Sequence, residues 1–182
     1  SGTLSGTTAL GGSCTICPVN TFKGATSTAN CVNCDGNSSS PAGSDGGDKC
    51  LCNTGYSGTL SGTTSLGGSC TVCPVNTFKG VTGTASCVDC DVQSASPAGS
   101  DGGDDCLCNM GYTGTLSGTT ALGGSCTGCT AGKFKAENGT IDCADCPGDS
   151  SSVEAKTAAR DCECEPGFQG IILGSSSASG QC

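Results

Sequence analysis

The chain has 182 residues, with 19 Cys, 32 Gly, four Phe, two Tyr, no Trp and no His. That is too little apolar bulk for an ordinary hydrophobic core, and so much cysteine marks a crosslinked scaffold. A net charge of -9 argues against nucleic acid and anionic membrane surfaces as partners, and no apolar run is long enough to span a bilayer.

In chain order, the first element is a phrase that returns. "SGTLSGTTALGGSC" at 1–14 reappears as "SGTLSGTTSLGGSC" at 57–70 and "TGTLSGTTALGGSC" at 113–126. It closes each repeat, so residues 1–14 are expected to be the C-terminal tail of a preceding repeat, with Cys14 its sixth cysteine. Cys14, Cys70, Cys126 and Cys182 are 56 residues apart, and every cysteine obeys that period. The expected modules are 15–70, 71–126 and 127–182. The copies starting at Cys14 and Cys70 differ at only 12 of 56 positions, whereas the third has drifted and kept every cysteine. Cysteine geometry is therefore the constrained feature.

The aromatics keep the same period. Phe22, Phe78 and Phe134 share one position; Tyr56, Tyr112 and Phe168 share another. Each module is expected to bury both under its crosslinks. No window keeps a helical period. "GYSGTLSGTT" (55–64) reads as a short hairpin, and "SPAGSDGGD" (40–48 and 96–104) as a turn-rich loop. Only Thr71-Val72 and Thr127-Gly128 separate one module's last cysteine from the next module's first, which leaves no flexible linker and implies a stiff array.

Two chemistries compete for the cysteines. C-x2-C-x13-C-x2-C, starting at Cys14, approaches a four-cysteine zinc site. The extra C-x-C pair in every unit and the Ser/Thr/Gly-rich composition favour disulfides and an extracellular setting.

"CLCNTGYSG" (50–58), "CLCNMGYTG" (106–114) and "CECEPGFQG" (162–170) carry the C-x-C-x2-G-aromatic-x-G ending of EGF-like modules. The whole unit resembles the ephrin-receptor-type cysteine-rich repeat, which is EGF-like and occurs in surface coats and flagellar hairs (mastigonemes) of protists and algae. The resemblance implies a small disulfide-rich fold of tandem EGF-like modules with short β-hairpins, little helix and an elongated rod. It also implies EGF-like pairing: Cys17–Cys34, Cys31–Cys50 and Cys52–Cys70; Cys73–Cys90, Cys87–Cys106 and Cys108–Cys126; Cys129–Cys146, Cys143–Cys162 and Cys164–Cys182. The rival is sequential pairing, Cys17–Cys31 and Cys34–Cys50, as in tumour-necrosis-factor-receptor-like modules; both keep Cys52–Cys70. Either way, closing the loop from Asn53 to Ser69 stabilises by about 3 kcal/mol in the chain-entropy picture.

No enzyme is expected. There is no His to act as general base, and Asp45 and Asp48 lie in a Gly-rich turn. The acidic motif of calcium-binding EGF modules is absent before the first cysteine, and "SDGGDKC" offers too few oxygen ligands; no metal or cofactor is expected. Asn37 ("NSS") and Asn138 ("NGT") are N-glycosylation sequons. Thr59, Ser61, Thr63 and Thr64 are candidate O-glycan carriers, as are Pro41 and Pro97 through hydroxylation. Together these features point to an extracellular, glycosylated structural repeat forming a rod or filament. Its partners would be neighbouring repeats, copies of itself or other filament chains. The alternative is a receptor or adhesin stalk, or a ligand-binding cysteine-rich region.

Overall fold

The computed structural model describes residues 13–177 and 179–182. The opening phrase, apart from Ser13 and Cys14, lies outside the described residues.

Among the described residues there is no α-helix, and the strands are two residues long, paired into antiparallel hairpins. The first copy pairs Thr21–Phe22 with Val32–Asn33, Ser38–Ser39 with Leu51–Cys52, and Tyr56–Ser57 with Thr71–Val72. The second repeats this with Thr77–Phe78 and Val88–Asp89, Ser94–Ala95 and Leu107–Cys108, and Tyr112–Thr113 and Thr127–Gly128. The third has Lys133–Phe134 with Ala144–Asp145 and Ser150–Ser151 with Glu163–Cys164. Pairing stops so soon because turn residues interrupt every strand. Asn20 and Asn76 turn the chain at φ 61°, a left-handed conformation that asparagine tolerates. A 3-10 turn at Gly47–Lys49, Gly103–Asp105 or Ala159–Asp161 ends each acidic loop. The "GYSGTLSGTT" stretch contributes Tyr56–Ser57 to a hairpin, but its partner is Thr71–Val72. The intervening loop folds on itself at an antiparallel bridge between Ser61 and Gly67.

Nine disulfides staple these hairpins in sequential order. They are Cys17–Cys31, Cys34–Cys50 and Cys52–Cys70, then Cys73–Cys87, Cys90–Cys106 and Cys108–Cys126, then Cys129–Cys143, Cys146–Cys162 and Cys164–Cys182. This corrects the crossed pairing that the EGF resemblance implies: Cys17–Cys34 and Cys31–Cys50 are not formed, nor are their equivalents at Cys73–Cys90, Cys87–Cys106, Cys129–Cys146 and Cys143–Cys162. The physical reason is local. Each short hairpin brings together the two cysteines nearest it in sequence. The pairing Phe22↔Val32 fixes Val32, the residue after Cys31, and the pairing Ser39↔Leu51 fixes Leu51, the residue after Cys50. Cys52–Cys70, Cys108–Cys126 and Cys164–Cys182 are common to both schemes. Cys14 is free and exposed.

Small cores sit against the crosslinks. Phe22, Cys50, Cys52, Leu60 and Cys70 pack together, with Val32, Tyr56 and Leu66 around them. Phe78, Cys106, Cys108, Leu116 and Cys126 repeat the cluster; Phe134, Ala159, Cys162 and Ile172 form the third. Backbone bridges Phe22↔Ser44, Phe78↔Ser100 and Phe134↔Lys156 tie each phenylalanine to its acidic loop. The second aromatic does not behave uniformly: Tyr56 and Tyr112 are half-buried, but Phe168 is 49% exposed. Folded back over the first core, the loop beyond Tyr56 holds Gly62 at φ +119°, where a Cβ would lie 1.9 Å from the Ser65 carbonyl. Only glycine fits there.

The chain divides into two compact units. Of the described residues, one unit holds those from Ser13 to Cys73 together with Lys79–Cys87; the other holds Pro74–Phe78 with those from Val88 to Cys182. The boundary does not follow the 56-residue period, because an arm of the second copy folds with the first.

Candidate functional site

That arm carries the most elaborate polar site of the first unit. Lys79 is 1% exposed although it is a lysine in a chain with little core. Its Nζ donates to the carbonyls of Tyr56 (2.7 Å), Gly83 (2.9 Å), Cys52 (3.0 Å) and Asn53 (3.4 Å). Backbone bonds surround it. Gly55 N–H donates to Lys79 O at 2.8 Å, Cys73 N–H to Gly55 O at 2.8 Å, and Gly83 N–H to Cys52 O at 2.9 Å. An ammonium has three donors and no acceptor, so a ring of carbonyls is the neutral environment that suits it. The lysine of one copy thus grips the C-x-C-x2-G-aromatic ending of the copy before it.

In the second unit the same clasp recurs 56 residues on. Lys135, also 1% exposed, donates to Gly139 O (2.6 Å), Tyr112 O (2.7 Å) and Cys108 O (3.3 Å). Gly111 N–H donates to Lys135 O, Cys129 N–H to Gly111 O, and Gly139 N–H to Cys108 O. Burial pushes both ammonium groups below the ordinary lysine value, opposed at Lys135 by the Asp142 charge. No buried side-chain polar atom among the described residues lacks a hydrogen-bond partner.

The third periodic lysine, Lys23, is only half-buried, and its Nζ donates to Ser27 O, at the position matching Gly83 and Gly139. Sequence reasoning missed this site. Its signal was present: Lys23, Lys79 and Lys135 keep the 56-residue period, each directly after a periodic phenylalanine, and they are three of only seven basic residues.

The sequence candidates fall elsewhere. Thr59, Ser61, Thr63, Thr64, Pro41 and Pro97 are exposed on loops. Asn138 is exposed, and its Oδ1 accepts from Met110 N–H at 3.0 Å. Asn37 is half-buried, its carbonyl accepting from Asn53 N–H. Asp45 and Asp48 are exposed; Asp48 pairs with Lys49 at 3.0 Å, and that hydrogen bond holds its carboxyl below the usual range. A shallow depression in the third copy is lined by Ser151, Lys156, Glu163 and Glu165. Among the described residues no three Cys, Asp or Glu side chains converge as metal ligands. Cys17, Cys31 and Cys34 are committed to disulfides, so the zinc arrangement read from their spacing is not formed. No described helix is long and apolar enough to cross a membrane.

No family model matches the chain, and no solved structure matches it. It is similar to the sushi, von Willebrand factor type A, EGF and pentraxin domain-containing protein 1 of mouse. The two are 37% identical over 84 residues, which cover 43% of this chain and 2% of that protein. This similarity and the repeated disulfide pattern fit EGF-like cysteine-rich modules, whose architecture is of the non-catalytic, structural kind.

Proposed function

We propose that the chain is an extracellular structural repeat protein whose modules (15–70, 71–126 and 127–182) form a stiff, glycosylated rod or filament of the surface-coat or flagellar-hair type. The lysine clasp carries this reading. The two-residue connections leave no slack between copies and are themselves paired in hairpins, and a buried ammonium held by the preceding copy's carbonyls further restricts rotation there. Disulfides at this density persist in oxidising compartments, which supports an extracellular location. Function then lies in length, stiffness and protease resistance.

Exposed loops supply the coat. Asn138 is the better-placed sequon. A glycan attaches through Nδ2, leaving Oδ1 free to keep its bond from Met110 N–H. Thr59, Ser61, Thr63 and Thr64, with Pro41 and Pro97, offer further exposed attachment points. The partners are copies of the chain or other filament chains. A stalk within a larger receptor or adhesin is the second reading, favoured by the match to a small part of a multidomain protein.

Small-angle scattering of the purified chain tests the rod. A rod gives a constant cross-section with a length that grows by a fixed increment per repeat. Scattering of flexibly linked beads would overturn the proposal.

A further inference from the structure

Asn138-Gly139 is the only Asn-Gly pair in the sequence, and it lies in the second clasp. An asparagine before glycine is the one most open to attack by the following backbone nitrogen, because glycine has no side chain to hinder closure of the five-membered ring. Here both reacting groups are tethered to the preceding copy. Gly139 N–H, whose nitrogen becomes the nucleophile once its proton is removed, donates to Cys108 O at 2.9 Å. Asn138 Oδ1, on the carbon to be attacked, accepts from Met110 N–H at 3.0 Å. Gly139 O in turn accepts from Lys135 Nζ at 2.6 Å. Asn138 is exposed, so water and hydroxide reach it and the tethers are what restrain it. The first clasp makes the same backbone bonds without this chemistry. Gly83 N–H donates to Cys52 O at 2.9 Å and Lys79 Nζ to Gly83 O at 2.9 Å, but Thr82 stands where Asn138 does and has no amide to lose.

We infer that Asn138 is a latent deamidation site gated by the clasp, and that it converts a transient opening of the second joint into a permanent one. When the joint opens, base removes the Gly139 N–H proton, the same proton whose protection the clasp provides. The nitrogen attacks Asn138 Cγ; a C–N bond forms, the Cγ–Nδ2 bond breaks, and ammonia leaves with a proton from water. Water then opens the succinimide at either carbonyl, giving aspartate or isoaspartate. In isoaspartate the main chain runs through Cβ and Cγ and is one atom longer. That atom enters between Lys135 and Gly139, whose spacing the clasp fixes, so the Gly139 N–H and carbonyl no longer fit Cys108 O and Lys135 Nζ together. A glycan on Nδ2 occupies the leaving nitrogen, so the inference concerns the chain with Asn138 unmodified; it rests on the clasp and not on the rod reading.

The test incubates the full disulfide-bonded chain, made without N-glycosylation and carrying Cys14→Ser to prevent thiol exchange, in mildly alkaline buffer. Peptide mass mapping follows conversion of Asn138, and fragmentation separates aspartate from isoaspartate. The native chain should convert at least about 30-fold more slowly than the same chain reduced and alkylated. Lys135→Met should convert at least about tenfold faster than the native chain, and Lys79→Met, which loosens the other joint, should stay within about twofold of it. Urea below the unfolding transition, which needs no substitution, should speed conversion and Gly139 amide exchange in the same proportion. In isoaspartate-containing chains the Gly111 and Cys129 amides, which donate within this clasp, should exchange faster than in unconverted ones. Conversion of the native chain at the unfolded rate, no acceleration in Lys135→Met, urea dependence that departs from Gly139 exchange, or unchanged exchange at Gly111 and Cys129 after conversion overturns the inference. None of these outcomes bears on the rod, which scattering reads separately.

Discussion

Replacing Lys79 by methionine isolates what the clasp contributes, because Lys23 supplies an internal control. Both lysines follow Thr-Phe and precede Gly or Gly-Val-like loops of almost the same sequence. Methionine keeps most of the buried stem and removes the ammonium. Three short bonds disappear, to Tyr56 O, Gly83 O and Cys52 O. Bonds to a charged donor are worth about 1.5–3 kcal/mol each, but burying the ammonium itself costs several kcal/mol, so the net loss is about 2–3 kcal/mol. Cys52 O keeps its bond from Gly83 N–H, which limits the damage. Amide exchange reads the local opening directly. Gly55 and Gly83 donate their N–H groups across the joint, and both should exchange roughly 30- to 150-fold faster in Lys79→Met. Lys23→Met, whose ammonium donates to the nearby Ser27 carbonyl, should change the exchange of its own loop by less than about threefold. Equal effects of the two substitutions, or acceleration below about threefold at Gly55 and Gly83, would refute the claim that the ammonium holds the joint.

Digestion and mass mapping without reduction should recover Cys17 linked to Cys31 and Cys34 to Cys50, with the same order in the later copies; a Cys17–Cys34 peptide would contradict the hairpin argument. Phe78→Ala should cost about 3–5 kcal/mol in denaturant unfolding, since the ring is fully enclosed, whereas Phe168→Ala should cost under about 1 kcal/mol because that ring is half in water. Replacing Cys52 and Cys70 together by serine should cost about 3 kcal/mol and open the loop between them to proteolysis, most readily at 57–66. Alkaline stability carries a sign set by the clasps. Burial lowers the Lys79 and Lys135 values, so between the depressed and the ordinary lysine value the unfolded chain binds more protons than the folded one. Stability from these groups therefore rises with pH through that window and is constant at its lower level below it. In a Cys14→Ser background, the double substitution to methionine should abolish the rise.

Period, crosslinked character and sparse secondary structure were all legible in the sequence. Cysteine, aromatic and glycine positions repeat every 56 residues, and such a composition permits little else. The buried Phe22, Phe78 and Phe134 followed from the same repetition, as did the links Cys52–Cys70, Cys108–Cys126 and Cys164–Cys182. Leu60 and Leu116 did not, because one apolar residue among Gly, Ser and Thr looks like loop until the loop is seen folded over Phe22 or Phe78; nor did Ile172, because nothing in the run Ile171-Ile172-Leu173 marks which of the three turns inward. Pairing of the first four cysteines of each copy was likewise open, since C-x2-C spacing serves crossed and sequential links alike and only the hairpin register separates them. The clasp shows the limit most clearly. Lys79 and Lys135 recur in the sequence as ordinary surface residues would. Burying their ammonium groups depends on backbone carbonyls 23 to 27 residues earlier in the chain. Every residue carries a carbonyl, so no side-chain pattern announces where four of them will converge; only the folded backbone decides that.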